Sequence, residues 1–284
     1  MNDAPPPVRA QAFEVILTEH CNLRCAGCDH GSPLLPATTL PLDTLERDLR
    51  ALAGVYHAGE IKLVGGEPTL HPELVQVIEV ARASGVADRI TLVTNGVLLH
   101  RMTDEVWEGI DVLWFNRYPN TRCRMSPAEV AARAERHGVQ LVYRYNARFR
   151  HTLLRARNPD EALVARIYRN CELAHVWSCH TLYDGRYYKC SPAPLMAPRL
   201  AQRGVRLDEG PGDAVRLHDN PALREQLAAY LTGPRPLSHC SYCLGTVGRW
   251  FPHHQLDPDG LAQWRDGTDR PLDELIDPSA FWSP

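Results

Sequence analysis

The sequence is poor in lysine and has no long apolar run. Lys62 and Lys189 are the only lysines among 31 basic residues, and the formal net charge is −3. Without a basic stripe to neutralise phosphates, nucleic acid is not an expected partner. No stretch approaches the roughly 18 apolar residues of a membrane-spanning helix. The first ten residues, MNDAPPPVRA, lack the apolar core of a secretory signal. We therefore predict a cytoplasmic protein with no membrane partner.

Cysteine, by contrast, is present in an odd number and is clustered. The chain has nine cysteines, and Cys21, Cys25 and Cys28 lie within eight residues of one another. Cytoplasmic thiols stay reduced, so clustered cysteines there are more often metal ligands than disulfides. The pattern therefore calls for a metal site.

The first half of the chain alternates between two kinds of pattern. Short apolar runs indicate buried parallel strands, and amphipathic helical patterns separate them. The runs are FEVIL, IKLVGG, RITLVTNG, DVLWFN and VQLVYRY. This alternation, from about residue 12 to 147, predicts an α/β fold, a partial (β/α) TIM-like barrel of five to six strands. The cysteine loop follows the first strand, at the end of the barrel where active sites collect.

After about residue 150 the pattern becomes irregular and does not continue the barrel. We predict a helix in PDEALVARIYRN, a hairpin in HTLYDGRYYKC and a helix in NPALREQLAAYL with Asn220 at its cap and Pro221 at its first position. SPAPLMAP and TGPRP are expected to be proline-rich connections. The predicted divisions are a barrel over 1–150, a second cysteine region over 151–250 and a C-terminal tail over 251–284.

Three thiols at this spacing fit an iron-sulfur cluster with one iron left open. A four-iron cluster normally takes four thiolates, so three protein ligands leave one iron free for another molecule to chelate. Zinc is the alternative, and it needs a fourth donor such as His20 or His30.

The motif C-x3-C-x2-C formed by Cys21, Cys25 and Cys28 resembles that of the radical S-adenosylmethionine (radical SAM) superfamily. GGEPTLHPE, VTNG and WFN, each at the end of a predicted strand, extend the resemblance over roughly residues 12–147. It implies a [4Fe-4S] cluster on the three cysteines that binds S-adenosylmethionine. The cofactor-binding residues it implies are Gly27, Gly65, Gly66, Glu67, Pro68, Thr94, Asn95 and Asn116. Gly27 departs from the family, which usually has an aromatic residue before the third cysteine.

A second set of cysteines follows in the irregular half. Cys171, Gly185 and Cys190 read as C-x13-G-x4-C, and Cys240 and Cys243 form a later C-x2-C pair. The arrangement resembles the twitch version of the SPASM extension, which implies a second, auxiliary [4Fe-4S] cluster on the four cysteines. A structural zinc site with four thiolates is the alternative.

Cys123 and Cys179 belong to neither pattern. Inert, partly buried thiols are the default for such residues. Cys179 lies beside the hairpin and is a candidate hydrogen donor facing the active-site cavity, whereas TRCRM around Cys123 is expected to be an exposed loop.

The resemblance also implies a reaction. Radical SAM enzymes cleave S-adenosylmethionine reductively, with electrons from a flavodoxin- or ferredoxin-type donor, and abstract a hydrogen atom from the substrate. Only about eleven residues precede the first strand, which favours a small-molecule substrate over a peptide. The chain resembles 2-deoxy-scyllo-inosamine dehydrogenase, which implies alcohol oxidation of a sugar- or aminocyclitol-like natural-product intermediate. The alternatives are an epimerase that uses a cysteine hydrogen donor, a peptide-modifying maturase and a non-catalytic zinc protein.

Overall fold

The structure is a computed structural model and describes residues 5–282. The strands are β1 Val8–Ala10, β2 Phe13–Thr18, β3 Tyr56–Gly65, β4 Ala87–Thr94, β5 Val112–Arg117, β6 Gln140–Tyr145, β7 Arg148–Arg150, β8 Thr181–Tyr183, β9 Arg186–Tyr188, β10 Ala214–Arg216 and β11 Trp250–Pro252. The α-helices are α1 Leu42–Leu52, α2 Leu74–Ser84, α3 Asp104–Gly109, α4 Pro127–Arg136, α5 Glu161–Arg169, α6 Glu172–His175, α7 Ala193–Ala201, α8 Leu223–Thr232, α9 Pro258–Asp266 and α10 Leu272–Leu275.

Strands β2 to β6 lie side by side in chain order, all parallel, within a nine-stranded sheet. They are the five strands predicted from the apolar runs, and the α/β parallel architecture is confirmed. Every residue of β2 is buried, which explains why its sequence is apolar almost throughout. The carboxyl ends of these strands meet at one edge of the sheet, which is where the cysteine loop begins.

Helices α1 and α2 pack against each other and against the sheet. Leu45, Leu49 and Leu52 are fully buried on one face of α1, as the helical spacing predicts. Each such side chain contributes roughly 1.5–3 kcal/mol of hydrophobic stabilisation. This core fixes the strands and therefore the positions of the loops at their ends.

The hairpin predicted in HTLYDGRYYKC is confirmed as β8 and β9. Strand β8 also pairs in parallel with β2, through Glu14 with Thr181 and Val15 with Leu182, and β9 and β10 continue the sheet as antiparallel strands. The expectation that the chain beyond residue 150 does not continue the barrel is therefore wrong for β8, which covers an edge of β2 that would otherwise be unpaired. The division into 1–150, 151–250 and 251–284 stays a prediction.

Two helix predictions in this half are also corrected. SPAPLMAP is not a connection but the start of α7, where burial of Leu195, Met196 and Leu200 outweighs the helix-breaking effect of proline. Helix α8 begins at Leu223, later than the predicted cap, because the Asn220 side chain accepts a hydrogen bond from the Ala222 N–H and forms a local turn.

Within the described residues, 5–282, we find no helix whose length and apolar character would let it cross a membrane.

Candidate functional site

The three clustered cysteines lie in the loop between β2 and α1 and line one cavity of about 300 Å³. Burial raises the pKa of the Cys21 thiol to about 12 and that of Cys25 to about 11, and it raises the pKa of Cys28 as well. Their mutual proximity adds to the shift for Cys21 and Cys28. Without a metal these thiols stay protonated at neutral pH, and a bound metal would displace the protons. The three sulfurs therefore fit a shared metal centre.

Hydrogen-bond donors point at these sulfurs. The Leu23 N–H lies 3.4 Å from Cys21 Sγ, and Asn95 Nδ2 lies 3.5 Å from the same atom. Gln255 Nε2 donates to Cys25 Sγ over 3.4 Å. Donors of this kind stabilise thiolates that ligate a metal.

The glycines at the end of β3 pack tightly against the start of the cysteine loop. Gly66 N–H donates to Thr18 O (2.8 Å) and Glu67 N–H to His20 O (3.1 Å). A Cβ atom on Gly66 would lie 2.0 Å from His20 O, so only glycine fits there. The close approach brings the backbone of Gly65 and Gly66 to the wall of the cavity.

The Glu67 side chain joins the ends of two strands. Its carboxylate accepts hydrogen bonds from Thr94 Oγ1 (2.6 Å) and from the Asn95 N–H (2.9 Å), and also from Thr69. Burial raises the pKa of this carboxyl group, and these hydrogen bonds oppose the shift. Glu67 and Thr94 are thus engaged with each other and organise the edge of the sheet.

The predicted cofactor-binding residues fall into three groups. Gly65, Gly66, Glu67, Asn95 and Asn116 line the cavity of the three cysteines, and Gly27 lines the adjoining one. Pro68 and Thr94 are buried and do not belong to either lining in the described chain. Their roles as cofactor ligands stay predictions.

The second set of cysteines is brought together from distant segments. Cys171 precedes α6, Cys190 follows β9, Cys240 lies within the 3-10 helix Ser238–Tyr242, and Cys243 directly follows that helix. Burial raises the pKa of Cys190 well above its ordinary value, and the proximity of the other three cysteines raises it further. The turn of the β8–β9 hairpin, with positive φ at Asp184 and Gly185, carries Cys190 to this cluster.

The two leftover cysteines lie in different surroundings. Cys179 lines the same cavity as Cys21, Cys25 and Cys28, and its thiol donates to Trp177 O over 3.9 Å. Burial, followed by the nearby Glu14 charge, raises the pKa of Cys179. Cys123 is half-buried, as the default for a leftover thiol predicts, and its thiol donates to Asn95 O over 3.9 Å. It lies in a loop in which the neighbouring Arg122 and Arg124 are exposed.

A second cavity, of about 260 Å³, adjoins the first, and the two share six lining residues. The shared residues are Asp29, Asn116, Tyr118, Phe149, Leu173 and Trp177. The second cavity reaches Gly245 and Thr246, and a Cβ on Gly245 would lie 2.9 Å from Cys171 Sγ. The two adjoining cavities therefore lead from the first cysteine set to Gly245, which packs against Cys171, and no cysteine of the second set is among their lining residues in the described chain.

Sequence reasoning missed two charged residues inside this space. Glu14 on β2 and Lys62 on β3 are cross-strand partners, both are buried, and both line the cavity. Glu14 Oε2 has no hydrogen-bond partner, and burial raises the pKa of the carboxyl group. The available signal was a single charged residue inside each of the apolar runs FEVIL and IKLVGG.

Of the polar residues near the ends of β5 and β6, Tyr118, Arg144 and Arg148 line the two cavities. The Arg144 guanidinium carbon lies 4.7 Å from the centroid of the Trp114 ring. The Lys62 ammonium lies 5.1 Å from the centroid of the same ring. These side chains are therefore placed to meet a polar substrate.

Residues 15–117 match the family described as the Radical SAM superfamily. GTP 3',8-cyclase of Chlorobaculum tepidum is 37% identical over 99 residues, which are 34% of this chain and 29% of the relative. Molybdenum cofactor biosynthesis protein 1 of Drosophila melanogaster is 32% identical over 161 residues, 52% of this chain and 28% of the relative. The matches thus span less than a third of these relatives.

Among solved structures, the crystal structure of BtrN in complex with AdoMet and 2-DOIA is 14% identical. The match has a TM-score of 0.44 and covers 78% of this chain and 82% of that one. The family match thus covers residues 15–117, and the sequence relatives carry names of cyclases and cofactor-biosynthesis proteins.

Proposed function

We propose that this radical SAM enzyme abstracts a hydrogen atom from a small, sugar- or aminocyclitol-like natural-product intermediate and completes a two-electron alcohol oxidation. The observation that supports the proposal is the pair of adjoining cavities that lead from the first cysteine set to Gly245, which packs against Cys171. A substrate held there would meet the site of hydrogen abstraction at one end and would have an electron acceptor behind the wall at the other. The radical SAM character follows from the domain match, and the substrate and the oxidation are our proposal.

The residues present fit the cofactor that the family implies. Three thiols share one cavity, N–H donors point at their sulfurs, and Cys21, Cys25 and Cys28 would hold a [4Fe-4S] cluster with one open iron. When bound, this cluster and S-adenosylmethionine supply the abstraction of a hydrogen atom from an unactivated C–H bond.

The chain itself would bind, orient and shield. The backbone of Gly65 and Gly66, together with the side chains of Asn95 and Asn116, would hold S-adenosylmethionine. Apolar walls formed by residues such as Phe149, Leu173 and Trp177 would exclude water from the reacting atoms.

Four thiols of the second set support an auxiliary [4Fe-4S] cluster. Zinc, at about 2.3 Å from each sulfur, would need tetrahedral sulfurs roughly 3.8 Å apart. In residues 5–282, Cys28, Asp29 and His30 bring three ligand atoms within 4.8 Å of one another, and no three thiols of the second set do so. The wider separation favours a larger inorganic group over a single zinc ion.

An epimerase is the second candidate, and the position of Cys179 favours it. Its thiol is buried in the same cavity, and its raised pKa keeps it protonated, as a hydrogen-atom donor must be. The thiol would donate a hydrogen atom to the substrate radical, so the product would have the mass of the substrate. The thiyl radical left on Cys179 would regain an electron from the flavodoxin- or ferredoxin-type donor and a proton from solvent.

The reaction in heavy water separates these functions. We expect the anaerobically purified, reduced protein to be brown, to form 5'-deoxyadenosine and to give a product two hydrogens lighter than the substrate. A product of unchanged mass that carries one deuterium, lost in Cys179→Ala, would establish the epimerase instead. A colourless protein with stoichiometric zinc would refute both.

A further inference from the structure

The segment 250–256, here called the C-terminal clamp, lies directly on the cysteine loop. Ala26 N–H donates to His254 O over 3.0 Å, and Leu256 N–H donates to Arg24 O over 2.7 Å. Cys25 and Gln255 face each other as an antiparallel bridge between these two contacts. More than 200 residues of sequence separate the cysteine loop from the C-terminal clamp.

The Gln255 side chain contacts two residues of the cysteine loop. Its Oε1 accepts the Arg24 N–H at 2.6 Å, and its Nε2 lies 3.4 Å from Cys25 Sγ. A backbone N–H needs an acceptor, so the Arg24 contact fixes which end of the amide is the oxygen. The amide nitrogen must then face the sulfur, where it acts as a donor.

Phe251 fills the place of a side chain that the loop lacks. Gly27 has φ of +68°, and a Cβ atom on it would lie 2.5 Å from Phe251 Cζ. The Phe251 ring also stacks on the ring of His151, with the two ring centroids 4.4 Å apart. An aromatic ring from β11 thus occupies the space beside the residue that precedes Cys28.

We propose that the C-terminal clamp is a positioning element of the first metal centre, in which Gln255 tunes Cys25 through an N–H···S bond and Phe251 supports the loop at Gly27. This inference rests on the proposed function, because it assumes a cluster on Cys21, Cys25 and Cys28. Hydrogen bonds to cluster sulfurs and access of solvent both set the reduction potential of iron-sulfur clusters. A donated hydrogen bond stabilises the more negative, reduced state, so it raises the potential.

Gln255→Glu separates the two contacts, because it keeps an acceptor for the Arg24 N–H but removes the donor to Cys25. We expect iron content equal to that of the unmodified protein and a more negative midpoint potential of the cluster whose electron paramagnetic resonance (EPR) signal responds to S-adenosylmethionine. Gln255→Met, which is of similar length and has neither polar atom, should lower iron content as well. Gln263→Glu, on an exposed face of α9, is the matched control.

Phe251→Ala tests the second contact. We expect iron to be lost from the first site to a chelator several-fold faster than in the unmodified protein, because solvent reaches the loop at Gly27. Trp282→Ala removes an exposed aromatic ring from the same end of the chain and should leave this rate unchanged.

A potential in Gln255→Glu equal to that in Gln263→Glu, or a chelation rate in Phe251→Ala equal to that in Trp282→Ala, would overturn the corresponding half of the inference. An unmodified protein without any EPR signal that responds to S-adenosylmethionine would overturn the proposed function itself. The two failures are therefore distinguishable.

Discussion

The first cysteine set comes from a single stretch, residues 21–28, whereas the second is collected from three segments between residues 171 and 243. The first set has three thiols on a loop at the mouth of the sheet. The second has four thiols, among which Cys171 and Cys190 are buried within a small core of their own. The comparison shows that a set of clustered thiols can lie in one short sequence motif or can be brought together from distant segments by the fold.

The electrostatic surroundings differ as well. Two buried cations lie beside the second set: the Lys189 ammonium donates to Tyr230 O, and the Arg199 guanidinium donates to Leu154 O, each over 2.9 Å. Burial lowers the pKa of Arg199 to about 10, and the proximity of Cys243 opposes this shift. Buried cations suit a centre held by four thiolates, which carries net negative charge.

The largest expected effect concerns the first set. Replacing Cys21, Cys25 and Cys28 together by alanine should abolish formation of 5'-deoxyadenosine, since no thiolate remains to bind the cluster. The protein should stay folded, because the loop lies outside the main core. Liquid chromatography of reaction mixtures measures the product, and circular dichroism reports the fold. Residual 5'-deoxyadenosine in the triple variant would contradict the assignment.

The next effect tests whether the sets are independent. Two four-iron clusters correspond to about eight irons per chain. Cys240→Ala with Cys243→Ala should halve the iron and leave the signal that responds to S-adenosylmethionine in place. Iron analysis and EPR measure these two effects. Cys123→Ala, which removes a thiol that belongs to neither set, is the control. Unchanged iron in the double variant would remove the auxiliary cluster from the account.

A smaller effect is a loss of stability in acid, which we expect from His180 in the region of the second cysteine set. Burial lowers the pKa of His180 to about 4, so the folded state binds fewer protons than the unfolded state between pH 4 and 6.5. The free energy of unfolding is therefore expected to fall as pH decreases through this window, by up to a few kcal/mol. Urea unfolding at pH 7 and pH 5 measures the loss, which should be smaller in His180→Phe. An equal loss in both proteins would assign the acid sensitivity to other groups.

The smallest expected effect concerns the cap of α4, which lies outside both cysteine regions and serves as a reference. Ser126 and Glu129 form a capping box at the start of α4, with hydrogen bonds of 3.2 Å and 2.7 Å. Ser126→Ala should lower the free energy of unfolding by about 1 kcal/mol. Iron content and 5'-deoxyadenosine formation should not change. A loss of iron in this variant would show that the two centres respond to general destabilisation.

What the sequence predicts depends on how far apart the interacting residues lie. The five parallel strands and Cys21, Cys25 and Cys28 follow from short patterns, because apolar runs and a three-cysteine spacing are local. The capping box of α4 is local too, because Ser126 and Glu129 lie three residues apart in the sequence.

The parts that sequence reasoning missed depend on distant contacts. The pairing of β8 with β2 and the bond from Gln255 to Cys25 join segments that no periodicity connects. Helix α7 was missed because its prolines indicate a break, while the burial that overrides them is a property of the tertiary structure.

The central claim is that the first centre has an open coordination position and the second is closed by four thiolates. EPR spectra of the reduced protein, recorded with and without S-adenosylmethionine, test it most directly. We predict two [4Fe-4S] signals, of which one changes on addition of S-adenosylmethionine and is absent from the Cys21, Cys25 and Cys28 triple variant. A single signal, or two signals that both ignore S-adenosylmethionine, would contradict the account.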